Sequence, residues 1–563
     1  MSKISGGELA FSALKQAGIT HIFGLLGSST MELYDALYGQ TDVSYIGVRD
    51  ERAGVHMADA FGRIAGRPAI FLAGQAGPGA ANMVTGLIQA RLAYSPLVAL
   101  TGLVSSDHIG RDAFQEFNQQ ALFEPITKRT ISVPKVERIP EFIHEACRIA
   151  MSGRRGPVVL NIPRDVFAQL TEHESASRRS GAEVCLGTVD NADLYHIRQL
   201  LLAARRPVIL AGAGIKWGVG SEKLMRLAER LSIPITASAG HGDVVPNDHP
   251  LFFGQVGPRG NPVASSITRE SDLILALGTR LGFNTTFYTN NDVSKDAKII
   301  QVDIEPNAIG RYYPVEVGIV ADAGKAAAAI AELFSDEEAS NVCWRGDLPQ
   351  FQQKRSHLWQ ERDEAAAISD GKPLSAEAVF KELRSAMPRD AIVTLDAGTM
   401  CLQATDQLRY FAPPALVGPL DFGLVGFSYA AGIGAKAAAP DRPVVTLMGD
   451  GGFAMTMAEI CTAVQHNLPT IAVVLDNGCW GAEKAYQRDF YDGRYVGSDI
   501  ISPAYDQVAE LCGADGYAVN KPGQLEEALS TALKSRNPSV IHVKVDPNAI
   551  VSFRRDSFRH RIK

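Results

Sequence analysis

The chain has 563 residues, 46% of them hydrophobic and 21% charged, with a formal net charge of −7 at pH 7. That composition is ordinary for globular proteins, and at about 100–200 residues per domain the length predicts about three or four domains, each able to bury its own core. No basic run suited to a phosphate backbone is present, so nucleic acid is not an expected partner, and no apolar stretch reaches the roughly 18 residues of a membrane span.

The opening MSKISGGELAFSALKQAGI lacks an apolar segment followed by a cleavage site. It reads as an amphipathic helix with Leu9, Phe11, Leu14 and Ala17 on one side. Cysteines at 147, 185, 343, 401, 461, 479 and 512 are odd in number and never form CxxC, so a reduced, cytoplasmic compartment is expected.

Along the chain a short apolar run, a glycine-containing turn and a helical stretch recur. The first set is HIFGLLGSS (21–29), PAIFLAGQAGPG (68–79), PLVALTG (96–102) and GPVVLNIP (156–163). A second set is RPVILAGAG (206–214), DLILALGTR (272–280) and AKIIQVDI (297–304). The third is AIVTLDAG (391–398), PVVTLMGDGG (443–452), TIAVVLDNG (470–478) and SVIHVKV (539–545). Continuous β-branched runs suit strands buried on both faces, and alternation with helices argues for parallel sheets with right-handed crossovers. The spacing predicts three doubly wound parallel-sheet α/β domains in series, over 1–180, 185–340 and 372–563. A polar stretch at 171–183 reads as the first linker. A charged helix at 352–367, followed by SDGKP, leads into the third domain.

Two places carry chemistry. In the first domain Arg49-Asp50-Glu51-Arg52 follows a strand (43–48) and opens a helix, where a carboxylate ordinarily caps the helix or faces its dipole. In the third domain one strand ends in Gly449-Asp450-Gly451-Gly452 and the next in Asp476-Asn477-Gly478-Cys479, with Asp450 and Asn477 27 positions apart. Parallel strands deliver their carboxyl ends to one edge, so Asp450 and Asn477 would meet there as hard oxygen ligands of the kind Mg²⁺ prefers. Gly451 and Gly452 would let backbone N–H groups approach phosphate at a helix N-terminus.

The GDGG…DNG arrangement, with GLLGSS (24–29) and GQAGPGAAN (74–82), resembles the thiamine diphosphate-dependent enzymes, of the acetolactate synthase and pyruvate decarboxylase kind. The resemblance implies that Asp450, Asn477 and the Cys479 carbonyl bind Mg²⁺, although Asp476 stands where Asn is commoner. It implies that Glu51 hydrogen-bonds the aminopyrimidine ring, whose imino form removes the thiazolium C2 proton, so that the cofactor does the hard chemistry. Gln115, in DAFQE (112–116), would steer intermediates. Gly27, Ser28, Pro78 and Asn82 would contact the cofactor from the first domain. Gly398, Thr399, Gly423, Gly451, Gly452, Trp480 and Gly481 would contact it from the third. Val425 would prop it into a bent shape that brings the two rings together.

The middle domain carries GxGxxxG (212–218), one residue off the dinucleotide fingerprint, and FAD is not expected. Within the family, NGCWGAEKAYQRDFYDGRYVGSDI (477–500), DAKIIQVDIEPNAIG (296–310), GIVADA ending at 323 and SFRRDSFRHR (552–561) resemble the sulfoacetaldehyde acetyltransferases. FFGQVGPRGNP (252–262) and the region between 340 and 372 do not. The likeness implies that sulfite leaves from the carbon beside an aldehyde and that the acetyl group passes to phosphate. Small anionic partners of this kind suit Arg554, Arg555 and Arg559. The alternative is an acetolactate synthase-like 2-oxoacid decarboxylase or carboligase. The family's cofactor lies between the first domain of one subunit and the third of another, which implies a homodimer or homotetramer.

Overall fold

Segments such as Ala69–Ala73, Pro207–Ala211 and Ile471–Asp476 are buried along their whole length, which only a strand covered on both faces can be. The computed structural model describes residues 3–172, 189–344, 346, 348–367 and 373–561, and builds three six-stranded parallel sheets flanked by helices. The stretch expected as the first linker lies, from residue 173 on, outside the described residues, as do Cys185 and most of SDGKP.

The first and third sheets share one strand order, and the middle sheet is a variant with the same kind of switch point. In the first domain the chain runs from His21–Leu25 to Ser44–Gly47 on one side, then crosses to Ala69–Ala73 on the other. In the middle domain Pro207–Ala211 is followed by Ile235–Ala237 and Phe252–Gln255 on one side before Leu273–Leu277 on the other. In the third, Ile392–Leu395 leads to Leu416–Val417 and then back across to Val444–Gly449. Each sheet therefore has a switch point between two adjacent strands whose connections leave in opposite directions, the place where open α/β sheets make a crevice. In the first and middle domains the loops facing each other there run nearly backbone to backbone. A Cβ on Gly74 would lie 2.1 Å from Gly27 N, and one on Gly212 would lie 2.5 Å from the Gly278 carbonyl oxygen. Glycine is required at these crossings for space.

The N-terminal segment behaves as its pattern predicts, with helix Gly6–Gln16 burying Leu9, Phe11 and Leu14. A short antiparallel pair, Lys3–Ser5 with Leu170–Glu172, ties the two ends of the first domain together. The charged connector is a helix, Leu348–Ala367, held to the third domain by an Arg362–Asp406 ion pair of 2.6 Å. Among the described residues no helix is long and apolar enough to cross a membrane.

The first and third domains pack through two helices, Glu51–Ala65 and Ser428–Ala438. Their approach is set by Gly434, whose Cβ would fall 1.9 Å from the Met57 carbonyl oxygen. His56 is fully buried in the same seam, edge-on to Phe427 at 5.2 Å, with neither ring nitrogen hydrogen-bonded. Burial first, then the charges of Arg52 and Arg63, push its pKa down to about 3.

Two outcomes follow. Gly434→Ala forces the helices apart and should cost at least about 1–3 kcal/mol, read as a lower midpoint in chemical denaturation. His56 must stay neutral in the fold but titrates near 6.5 when unfolded, so its contribution is complete above that pH and is lost as pH falls towards 3. His56→Phe removes this dependence, and its stability relative to the parent should rise by about 2 kcal/mol between about pH 7.5 and about pH 5. Parallel curves for the two proteins would contradict the assignment.

Candidate active site

At the switch point of the first domain, Ser29 N donates to the Gly74 carbonyl (2.9 Å) and Ala76 N to Ser29 Oγ (3.1 Å), which fixes the two loops to each other. Ser28 Oγ reaches Gln75 Oε1 at 3.3 Å. Glu51 begins the neighbouring helix, but it does not cap it. Asp50 does, accepting the Ala53 N–H at 3.1 Å. The buried Glu51 carboxylate instead accepts a hydrogen bond from Asn82 Nδ2 at 3.0 Å, and its other oxygen would lie 3.1 Å from a Cβ on Gly79. Around this buried acid Ser28, Pro78 and Asn82 are exposed. Gln115 sits in a loop with a left-handed backbone (φ 67°), its carbonyl against Gly77.

The third domain builds a cradle at the carboxyl ends of Val444–Gly449 and Ile471–Asp476, which pair in parallel with Gly449 opposite Leu475. Asp450 is 1% exposed. Its Oδ2 accepts from Ser502 Oγ (2.8 Å) and its carbonyl from Tyr505 OH (2.8 Å), yet no cationic side chain pairs with it among the described residues. Burial, and the nearby charge of Asp476, push its pKa up to about 6. Asp476 is the opposite case. Burial alone would raise it, but hydrogen bonds from His542 Nε2 (2.7 Å) and Lys544 and their charges hold it well below the usual carboxylate range. Its Oδ1 accepts the Gly478 N–H at 3.0 Å, so Asp476 shapes the turn that presents Asn477 and Cys479. That pairing with His542 and Lys544 accounts for an acid where Asn is commoner.

A second acid lies beneath the cradle. Asp396 is buried and accepts the N–H groups of Ala397 (2.9 Å), Gly426 (2.9 Å) and Phe427 (3.2 Å). Burial outweighs those bonds and pushes its pKa up to about 7. A Cβ on Gly452 would lie 2.4 Å from Asp396 Oδ2 and 3.3 Å from Val425 Cγ1, and one on Gly451 would strike the Trp480 ring at 2.7 Å. In contrast, Cβ atoms on Gly398, Gly423 and Gly449 would meet nothing within 4 Å, so these glycines face open space. An unpaired buried carboxylate, an amide and a backbone carbonyl beside such a trough suit a hard divalent cation whose shell is completed by phosphate oxygens and water. Among the described residues no cluster of three or more His, Cys, Asp or Glu is placed to hold a metal, so this one-carboxylate set carries the case.

The trough opens into a cavity of about 1310 Å³ that runs on to the middle domain. Gly398, Thr399, Gly423, Val425, Asp450, Gly451, Gly452, Asn477, Cys479, Trp480 and Gly481 line it, and so does Arg554. The C-terminal segment reaches the cavity by folding back on helix Gly481–Phe490. Phe558 stacks on Tyr486 and Phe490, Ser552 Oγ donates to Asp489 Oδ2 (2.7 Å), and Arg554 N donates to Tyr486 OH (3.1 Å). Arg555 and Arg559 are exposed and do not line the cavity, so of the three arginines grouped from the sequence only Arg554 reaches it. Gly27, Ser28, Glu51, Pro78, Asn82 and Gln115 do not line it either. The chain thus carries two separate clusters rather than one pocket. The GxGxxxG loop of the middle domain packs Gly212 and Gly214 against Gly278, and its Lys216 pairs with Asp243 at 2.8 Å. Asp396, Ser502 and Arg259 are cavity or cradle residues that the motifs did not single out, although Asp396 heads the DAG segment and Arg259 lies in the divergent 252–262 stretch.

Comparison with known proteins matches all three units. The N-terminal thiamine pyrophosphate-binding domain of thiamine pyrophosphate enzymes matches 4–122, the central domain 194–330 and the C-terminal thiamine pyrophosphate-binding domain 396–543. A sulfoacetaldehyde acetyltransferase from Castellaniella defragrans is 33% identical over 97% of this chain and 94% of its own. A probable acetolactate synthase large subunit from Methanococcus aeolicus is 31% identical over 98% and 93%. The acetolactate synthase isozyme 3 large subunit of Escherichia coli (strain K12) is 31% identical over 97% and 95%. Three matched domains in the family's order, over nearly the full length of such relatives, make this chain a member of the thiamine diphosphate-dependent enzyme family.

Proposed function

We propose that the protein is a thiamine diphosphate- and Mg²⁺-dependent acetyltransferase that converts sulfoacetaldehyde and phosphate into acetyl phosphate and sulfite. The observation that carries this reading is Arg554, brought by the folded-back C-terminal segment into the wall of the cavity that also holds the cradle. A guanidinium there suits a substrate that bears a sulfonate and an acceptor that is phosphate. The likeness of 477–500 and 552–561 to sulfoacetaldehyde acetyltransferases supports the same choice.

Asp450, Asn477 and the Cys479 carbonyl would hold the cation, and backbone N–H groups at Gly451 and Gly452 would approach the diphosphate. Bound in this way, thiamine diphosphate supplies a nucleophilic carbon and an electron sink. Val425 would support the bend that brings the two rings together, and Trp480 would wall the trough. Glu51, buried and free of capping duty, would keep a proton shared with the aminopyrimidine. Since the Glu51 cluster does not line the cradle's cavity, the reading requires a second copy to supply it, as a homodimer or homotetramer.

Overall the reaction breaks the carbon–sulfur bond and the aldehyde carbon–hydrogen bond, releases sulfite, adds a proton to the carbon that sulfite leaves to give the methyl group, and joins the carbonyl carbon to a phosphate oxygen that gives up its proton. With Mg²⁺ and thiamine diphosphate, the protein should yield acetyl phosphate from sulfoacetaldehyde and phosphate. Glu51→Gln should lower that rate by about a hundredfold or more with cofactor affinity retained. Acetolactate from pyruvate in place of acetyl phosphate would move the assignment to the carboligase reading.

A further inference from the structure

The 255–262 turn of the middle domain, in the stretch that departs from the acetyltransferase pattern, sends one residue, Arg259, to the cavity wall. This turn is fixed. Asn261 caps helix Pro262–Arg269 through the Ala264 N–H (2.8 Å) and donates to Asp406 of the third domain (2.9 Å). Gly257 N donates to Ser265 Oγ (3.0 Å), and Gly260 N donates to the Gly257 carbonyl (2.9 Å). From it Arg259 extends into the cavity, part-buried, with its Nε enclosed and without a hydrogen-bond partner.

Three other arginines of the cavity are committed. Arg280 binds Asp421 and Tyr94 OH, each at 2.6 Å, and Arg63 binds Asp59 at 2.8 Å. Arg554 pairs with Asp556 (3.1 Å) and lies over the Phe283 ring (4.9 Å). Arg259 has no ion pair among the described residues. Its charge feels that of Arg554, and burial first, then that repulsion, lowers its pKa. The charges of Asp421 and Asp556 offset part of that repulsion without bonding Arg259, so an anion held between the two guanidiniums would give it the partner it lacks.

Resting on the reading above, we propose that Arg259 is a substrate-binding residue that, with Arg554, clamps a tetrahedral oxyanion: the sulfonate of the donor or the phosphate acceptor. A carboxylate offers two oxygens in one plane and is satisfied by a single guanidinium fork. A tetrahedral anion offers a third oxygen, which a second guanidinium from another domain can take. The clamp would sense donor or acceptor only when the middle domain and the C-terminal segment are both in place.

Binding calorimetry on the enzyme loaded with thiamine diphosphate and Mg²⁺ tests this, with inorganic phosphate and 2-hydroxyethanesulfonate, an unreactive sulfonate, as probes. Arg259→Met should weaken one of them by roughly tenfold or more, Arg259→Lys should restore part of the loss, and cofactor affinity should stay at the parent value. Loss for phosphate alone assigns the acceptor, and loss for the sulfonate alone assigns the donor. Parent-like affinity for both anions in Arg259→Met overturns the clamp, even where acetyl phosphate is formed. Weakened phosphate binding in a protein that forms no acetyl phosphate upholds the clamp and sinks the proposed reaction instead. A parent that binds neither probe, but holds pyruvate through Arg259, overturns both.

Discussion

Each of the three domains depends on one steric constraint: at the switch point of a parallel sheet, two loops leave adjacent strands and must pass at close range. Gly27 against Gly74 and Gly212 against Gly278 meet it backbone to backbone in the first two domains, whereas in the third Gly452 passes the Asp396 carboxylate. The same construction then serves different ends. In the first domain it leaves Glu51 buried beside Asn82 and Gly79. In the middle domain the glycines are consumed by packing, and Lys216 by Asp243. In the third domain Gly398, Gly423 and Gly449 face open space, and this is what makes a cradle.

Charge is distributed in that cradle so that one acid is spent and one is not. Asp476 is neutralised by His542 and Lys544 and works as a turn former, whereas Asp450, at the neighbouring strand end, has the Ser502 hydroxyl and the Gly451 N–H but no cation among the described residues. A buried carboxylate without a cation is costly, and a divalent ion would remove that cost. Asp396 is held from below by three backbone N–H groups and sets the depth at which Gly452 and Val425 sit. These are effects of the chain itself, and they leave the trough shaped and polarised.

The central strands were legible because burial on both faces writes an unbroken apolar run, as in Ile70-Phe71-Leu72 or Val473-Val474-Leu475. What the pattern did not show is mostly at sheet edges, where runs are short or half-exposed: Arg129–Ser132, Phe252–Gln255, Val317–Val320, the two-residue Leu416–Val417 and Asp515–Val519. Ile235–Ala237 is interior but only three residues long. The cradle was legible since its residues lie in two contiguous motifs. Arg259 was not, because its meaning comes from the absence of a partner in space, and no local spacing encodes that. The sorting of Arg554 from Arg555 and Arg559 likewise needed the fold of the C-terminal segment against Tyr486 and Phe490.

The Glu51 cluster lies outside the cavity that holds the Asp450 cradle, and the proposed reading has the two function only when two copies combine. The most direct measurement is complementation: Glu51→Gln and Asp450→Asn chains, differently tagged, are co-expressed, and the doubly tagged oligomer is assayed against each variant alone. The account predicts two inactive variants and a doubly tagged dimer with about half of the parent activity, since one of its two sites is intact. Mixed oligomers as inactive as their parents would contradict it, because the two residues would then serve the same site from the same chain.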